Sequence, residues 1–327
     1  MKQNEIISMF NRTILEQIEA ASAPLVHLTE AEPLVQGVPD AVLALALPIV
    51  AYWGYSLVYH VIDQYELFEQ YRIHPTEEQL SLNRVTFHVV LRDVLFQHII
   101  QTITGLSLFH FEPMPMSGFE QFELWDLRHN SIFIPQWIPT WLIYTWYWYG
   151  YSLLKITLAF LIIDTWQFWL HRTMHKYPWL YRNFHSRHHK LYVPYAFGAL
   201  FNNPIEGFFL DTLGTGVASL VLGLSPRECI FLYTFSTLKT VDDHCGYVLP
   251  WDIFHWIFPN NSIYHDIHHQ RWGIKYNFSQ PFFTFWDRLL GDQFGGVESI
   301  ARGKHVTLPH YRQFLKERKN KKADKSS

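Results

Sequence analysis

Nine of the 19 histidines in this chain fall into groups whose spacing suits a helix. His171 and His175 form a His-x-x-x-His pair. His185, His188 and His189 form a His-x-x-His-His cluster, and His265, His268 and His269 repeat it after an isolated His244. Residues three and four apart share one helix face, so His171 and His175 point the same way. The first histidine of each cluster likewise shares a face with both members of its closing pair. The closing pair itself diverges by about a third of a turn, which lets one helix give a ligand to each of two neighbouring metal ions. A lone histidine is by default a packing or surface residue, and the remaining histidines are read that way. Groups of this kind, repeated in one chain, point instead to a metal site, because imidazole readily ligates Fe, Zn and Cu.

The elements that must position these rings are apolar. The 327 residues are 49% hydrophobic and only 17% charged, and the apolar ones are bunched rather than periodic. Ala41 to Tyr59 carries no charge and is long enough to cross a hydrocarbon core. Val85 to Phe111 is a second candidate span, interrupted by Arg92 and Asp93. Trp137 to Ile163 is a third, uncharged except for Lys155, with tryptophans and tyrosines suited to a membrane interface. Gly207 to Leu224 is apolar but contains Asp211 and several glycines, so a buried or re-entrant hairpin over 207–240 is expected. The fold class expected is all-α, an integral membrane protein with a cytosolic helical cap that carries the histidines. Its segments are a polar to amphipathic 1–40, membrane helices in 41–163, a histidine-bearing 164–295 and a basic tail 296–327.

Residues 4–20 read as an amphipathic interfacial helix, and no cleaved signal peptide is expected before the first span. Asn11-Arg12-Thr13 is a glycosylation sequon, usable only from a lumenal N-terminus. The third span descends into Asp164 and then His171. Tyr177-Pro178-Trp179 is expected to break that helix, and a second helix to carry Phe184 to His189. His74-Pro75 lacks the glycines of a haem-binding module, so no fused electron-transfer domain is expected. Basic residues gather at 171–190 and at 302–325, while 112–136 holds Arg128 against Glu112, Glu120, Glu123 and Asp126. By the positive-inside rule the histidines and the C-terminus then face the cytosol. Two cysteines, Cys229 and Cys245, fit free thiols better than a disulfide framework. No nucleic-acid partner is expected.

The run of motifs His171-Arg172-Thr173-Met174-His175, Phe184-His185-Ser186-Arg187-His188-His189, Val241-Asp242-Asp243-His244-Cys245-Gly246 and Tyr264-His265-Asp266-Ile267-His268-His269 resembles the fatty acid hydroxylase and sterol desaturase superfamily of membrane di-metal oxygenases. Within it, residues 191–207 (LYVPYAFGALFNNPIEG), Lys239 to Tyr247 and Phe258-Pro259-Asn260-Asn261 are similar to the sphinganine C-4 hydroxylase branch. The likeness is dense over about residues 155–290. It implies a di-iron site held by His171, His175, His185, His188, His189, His244, His265, His268 and His269. It also implies dioxygen as co-substrate and electrons from NAD(P)H through a b-type cytochrome or reductase. Family members often place a further histidine shortly before the one matching His244. Thr240 stands there in this chain, leaving water, a carboxylate or an open position for dioxygen as alternatives.

The chemistry is consistent with that likeness. Hydroxylating an unactivated methylene needs an oxidant stronger than any side chain, so a metal must supply it. Neutral imidazoles do not balance metal charge, so carboxylates are expected to hydrogen-bond the outer ring nitrogens. Asp164, Asp211, Asp242, Asp243 and Asp266 are candidates by position, with cap, turn or surface roles as the alternative for each. Tyr192, Tyr195, Phe197 and Phe201 are candidates to line an acyl channel, against ordinary apolar packing. Arg172 and Arg187 could meet a polar headgroup. The expected reaction is C-4 hydroxylation of a sphingoid base or dihydroceramide at the endoplasmic reticulum membrane. Sterol C-4 methyl oxidation or desaturation and fatty acyl 2-hydroxylation are alternatives within the superfamily. A zinc-binding or transport protein and a bis-histidine haem protein are alternatives outside it.

Overall fold

The computed structural model of the chain describes residues 12–297 and 306–323, almost all of its regular structure helical. The expected helix over 4–20 therefore falls partly outside the described residues, as do Asn11 of the sequon and part of the basic tail. The described helix there, α1, spans Arg12–Ile18. The other principal helices are α2 (Asp40–Gln64), α3 (Thr76–Leu82), α4 (Phe87–Phe109), α5 (Glu120–His129), α6 (Thr140–Lys176), α7 (Pro178–Asn183), α8 (Pro204–Leu222), α9 (Pro226–Asp243), α10 (Ile253–Ile257), α11 (Ser262–His269), α12 (Phe285–Leu290) and α13 (Leu308–Ala323). The only sheet among the described residues is a two-residue antiparallel pair, β1 (Thr29–Glu30) with β2 (Met116–Ser117). α6 and α8 each contain a short π-helical segment, Trp146–Gly150 and Phe208–Thr212.

Two compact units divide the chain, one from Met1–Asp40 with Leu108–Leu158, the other from Ala41–Ser107 with Ala159–Ser327. In the first, Leu15, Ile18, Leu124 and Ile143 form a buried core. The second unit holds all nine clustered histidines. Its largest core joins Tyr52 and Tyr59 of α2, Val90 and Val94 of α4, and the segment from Leu191 to Phe201.

Three helices are long and apolar enough to cross a membrane: α2, α6 and α8. Their burial pattern is the one lipid demands, with polar groups inward and apolar ones outward. In α2, Ser56 is fully buried while Val50 is 64% exposed. In α6 the inward face steps through Ile156, Ala159, Ile163, Asp164, Gln167, Phe168 and His171 at three- and four-residue intervals, while Leu153, Leu161 and Trp169 face out. That periodicity delivers His171 and His175 to the interior at the helix end. The 37 residues of α6 make a helix of about 55 Å, longer than the roughly 30 Å hydrocarbon core, so part of it must project beyond that core.

The second expected span forms α4, which is not among those three helices. It carries Arg92, Asp93, Gln97 and His98, and Asp93 with Gln97 and His98 lies on its buried face. The residues expected as a hairpin, 207–240, form α8, long and apolar enough to cross a membrane, then a turn and α9. Gly223, at a φ of 56°, ends α8 in the left-handed region that a glycine adopts without strain. Ser225 then opens α9 with a capping box to Glu228.

Candidate metal centre

Four short stretches deliver the nine rings. α6 supplies His171 and His175 before Pro178 starts the next helix. The following stretch, His185–Lys190, is a 3-10 turn rather than the expected α-helix, and it supplies three rings. α9 ends on Asp243, with His244 as its C-cap. α11 supplies His265, His268 and His269, its first turn held by Asn261 Oδ1, which accepts from the Ile263 and Tyr264 amides at 3.1 Å each.

The rings sort into two groups: His171, His175, His185, His189 and His268 in one, and His188, His244, His265 and His269 in the other. The ligand nitrogens in each group lie within 4.8 Å of one another. Each His-x-x-His-His cluster is split between the groups. His185 and His189 enter the first while His188 enters the second; His265 and His269 enter the second while His268 crosses to the first. Closing pairs that diverge thus fall into two neighbouring groups. The first group holds two pairs of histidines four apart plus one crossing ring. The second holds one such pair, one crossing ring and His244, and the residue four before His244 is Thr240.

The outer nitrogens fix the tautomers. Nδ1 of His171 donates to the Phe278 carbonyl at 2.8 Å, of His188 to Phe201 at 3.1 Å, of His244 to Thr240 at 2.8 Å, of His268 to Tyr276 at 2.7 Å and of His269 to Leu191 at 2.7 Å. His185 Nδ1 donates to the buried carboxylate of Glu206. With the proton on Nδ1, Nε2 of each ring presents a bare lone pair. Those of His171 and His185 face each other at 3.0 Å, and the other inner nitrogens crowd in at the same range: His185 and His189 are 3.0 Å apart at Nε2, His244 and His265 2.9 Å, His265 and His269 3.0 Å. His268 Nε2 is buried with no hydrogen-bond partner. Lone pairs opposed at this distance repel unless a cation lies among them, so the donor set fits metal ions.

The spacing bears on which metal fits. Adjacent ligands at metal–nitrogen bonds of about 2.1 Å stand about 3.0 Å apart in an octahedron and about 3.4 Å apart in a tetrahedron. The closest Nε2 pairs, at 2.9–3.2 Å, match the former. A group of five rings also exceeds the four of a closed tetrahedral zinc site. Electrostatics keeps the rings ready to bind. Burial lowers His188 to about 4; burial reinforced by neighbouring imidazoles lowers His244 and His268 to about 3 and takes His185, His189, His265 and His269 well below the ordinary value. At neutral pH these rings are uncharged ligands.

None of the five candidate aspartates accepts a hydrogen bond from a clustered imidazole among the described residues. Asp164 accepts from the Phe282 and Phe283 amides at 3.0 and 2.6 Å, and so fixes the backbone just beyond the Phe278 carbonyl. Asp242 accepts from the hydroxyls of Tyr55 and Tyr59, each at 3.2 Å. Asp243 pairs with the fully buried Lys239. Asp266 accepts from His74 Nε2 at 2.9 Å and from the Tyr311 hydroxyl at 2.5 Å. Asp211 meets the amides of Gln167 and Asn202. Of the ring-orienting groups among the described residues, only Glu206 is a side chain, and it lies within the 191–207 stretch. Its signal was local: Asn203-Pro204-Ile205-Glu206 has capping-box spacing, and Asn203 Oδ1 accepts from the Ile205 amide.

A cavity opens beside the rings, lined by His185, His188, His244 and His265 together with Thr240, Asp243, Gln167, Asn202, Glu206 and Asp211. Thr240 thus borders open space next to the four-ring group. The aromatic channel candidates lie elsewhere. Tyr195, Phe197 and Phe201 pack in the large core, and Tyr192 lies under Arg271, its carbonyl accepting from Gln270. Arg187 pairs with Asp93, its Nε 2.6 Å from Oδ2, and Arg172 pairs with Asp292 at 2.6 Å. Cys229 and Cys245 are both free and buried.

The family model for fatty acid hydroxylases matches residues 156–292, which include all nine histidines. The chain is 54% identical over 306 residues to Sphingolipid C4-hydroxylase SUR2 of Saccharomyces cerevisiae, covering 93% of this chain and 87% of that protein. It is 42% identical to Sphinganine C4-monooxygenase 1 of Arabidopsis thaliana, covering 78% of this chain and 88% of the relative. It is 41% identical to a protein named Very-long-chain aldehyde decarbonylase GL1-9 of Oryza sativa, covering 78% and 89%. No solved structure matches. Relatives this similar over most of the chain, and a family model seated on the two ring groups, make this chain a member of the fatty acid hydroxylase family.

Proposed function

We propose that the chain is a membrane di-iron oxygenase that hydroxylates C-4 of a sphingoid base or dihydroceramide to the phyto-type product. The observation that carries the metal chemistry is the convergence of nine imidazoles into groups of five and four, with Nδ1 of six of them engaged outward. The position of attack is supported by the yeast and Arabidopsis relatives, both named for C4 oxidation of sphingolipid bases. Iron, dioxygen, and electrons from NAD(P)H through a b-type cytochrome or reductase belong to this reading, as does a cytosolic-facing site in the endoplasmic reticulum membrane.

His171, His175, His185, His189 and His268 would hold one iron, and His188, His244, His265 and His269 the other. Bound there, two irons would supply the oxidising power to replace one unactivated C–H by C–OH, using dioxygen and two external electrons. The chain's own residues do the rest. Backbone carbonyls and Glu206 hold a proton on Nδ1 of six rings, which keeps their Nε2 lone pairs committed to the centre. Seven of the nine rings are buried, which excludes water from the centre. α6 and α8 bring the site to the edge of the apolar layer, where a lipid-dissolved substrate enters sideways. Thr240, with no imidazole to offer, leaves the four-ring group one donor short on the side of the cavity.

The rice relative's name points to a different reaction, on an aldehyde, and sterol or fatty acyl oxidation are the remaining alternatives in the superfamily. Lipid mass spectrometry separates them. The chain is expressed in cells lacking their own sphingoid hydroxylase, beside a His188→Ala, His268→Ala double variant. The proposal expects 4-hydroxylated sphingoid bases from the first only. Shifted sterols, 2-hydroxy acids or alkanes with unchanged sphingoid bases would reassign the reaction.

A further inference from the structure

Asp211 is an acid without a cation. It sits in the π-helical segment of α8, a membrane-spanning helix, where an ionisable residue is costly unless something answers its charge. Asp93, Asp243 and Asp292 are paired with Arg187, with Lys239 and with Arg172 and Lys176; Asp164 and Asp242, like Asp211, make no ion pair among the described residues, but neither lines the cavity beside the rings. Asp211 meets only neutral amides among the described residues, Gln167 Nε2 at 3.4 Å from Oδ1 and Asn202 Nδ2 at 3.3 Å from Oδ2. All three side chains line the cavity that His185, His188, His244 and His265 also line.

If C-4 of a sphingoid base is the atom oxidised, its headgroup lies beside the metals by covalent necessity. The C-3 hydroxyl is about 2.4 Å from C-4, and the nitrogen on C-2 is within about 4 Å, given carbon–carbon bonds near 1.5 Å. Whatever reads the amino-diol must therefore share the cavity with the rings. We propose that Asp211, Asn202 and Gln167 form the headgroup subsite. The Asp211 carboxylate accepts from the C-2 ammonium, and the two amides bond the C-3 hydroxyl. Held at those two points, the chain presents C-4 to the histidine groups. The cavity measures about 20 Å³ in this structure, room for about one water, so the amino-diol parts its walls on entry. This inference rests on the proposed C-4 hydroxylation.

The test compares full-length wild type and Asp211→Asn, each in proteoliposomes with iron and a working electron donor. The substrates are sphinganine and N-acetylsphinganine, which differ in charge at C-2. Metal content and equilibrium binding of radiolabelled sphinganine are read alongside turnover. The expected result is full metal content, binding of sphinganine weakened about ten- to a hundredfold, and a clearly smaller loss for the N-acetyl compound. A share of product hydroxylated beside C-4 is expected as the anchor loosens. Equal losses for both substrates, or none, overturn the subsite while wild-type 4-hydroxylation leaves the function standing. Absence of 4-hydroxy product from wild type overturns both. Should Asp211→Asn lose its metals, Gln167→Met reads the same subsite: a raised KM for both substrates supports it, and an unchanged KM sinks it.

Discussion

Glu206 offers the sharpest test of how this centre is built. Its carboxylate is buried at 3% exposure and accepts the Nδ1 proton of His185, a ring of the five-histidine group. Its other oxygen accepts from the Asn203 amide at 3.4 Å, closing the capping box that starts α8. Glu206→Gln cannot satisfy both. Turning its carbonyl to His185 sets its amide N–H against the Asn203 N–H, and the reverse sets N–H against N–H at the ring. A charge-assisted hydrogen bond contributes about 1.5–3 kcal/mol, which converts to about 10–100-fold in affinity, the range seen when such an outer partner of a ligand is lost. The expected outcome is metal affinity reduced about tenfold for Glu206→Gln and nearer a hundredfold for Glu206→Ala. The loss should fall on one ion of two, since His185 serves a single group. The assay is metal content of purified full-length protein through a chelator titration, beside circular dichroism to follow helix content. Two ions lost together, or affinity unchanged with helices intact, would refute the assignment of Glu206 to one centre.

Other expectations follow from the same geometry. Asn261→Ala removes the cap of α11 and should lower stability by about 1 kcal/mol, read as a drop in thermal midpoint with looser binding at both centres, because α11 serves both. Asp164→Asn can accept only one of the Phe282 and Phe283 amides well. It should cost about 1–3 kcal/mol and raise hydrogen exchange across 278–283 before other segments. Burial lowers His188 to about 4 and His244 and His268 to about 3, so between about 6.5 and those values the unfolded metal-free chain takes up protons the folded one refuses. Metal-free protein should therefore keep its full stability above about pH 6.5 and lose it progressively as pH falls toward 4, as thermal unfolding in detergent will show.

Much of the centre was legible in the sequence, because metal chemistry fixes residue type and spacing. The i, i+4 pairs and the divergence of adjacent histidines both follow from helix geometry, and the split of each cluster between two groups realises them. The ring-orienting groups were not legible. Five of the six are backbone carbonyls, of Leu191, Phe201, Thr240, Tyr276 and Phe278, and a carbonyl has no side chain to advertise it. Carboxylates were expected there on chemical grounds, and proximity in sequence pointed to Asp243 and Asp266. Yet neighbours of a ligand on a helix point away from it, and those two meet Lys239 and His74 instead. Glu206 is distant from its ring in sequence and becomes its neighbour only through the fold. The membrane helices were legible where apolar runs were long. Over 207–240 Asp211 and the glycines suggested a hairpin, and the chain there forms α8 and α9 on either side of a turn at Gly223, with Asp211 inside a π-helical segment.

The central claim joins two irons to one inserted oxygen, and a single experiment addresses both. Purified full-length protein is reconstituted with iron, its metal is counted, and it is given reduced electron donor, sphinganine and isotopically labelled dioxygen. The account predicts two irons per chain and one labelled oxygen atom at C-4 of the product, both lost in the His188→Ala, His268→Ala variant. Tight binding of zinc in preference to iron, or iron-loaded protein that inserts no labelled oxygen into any lipid offered, would contradict it.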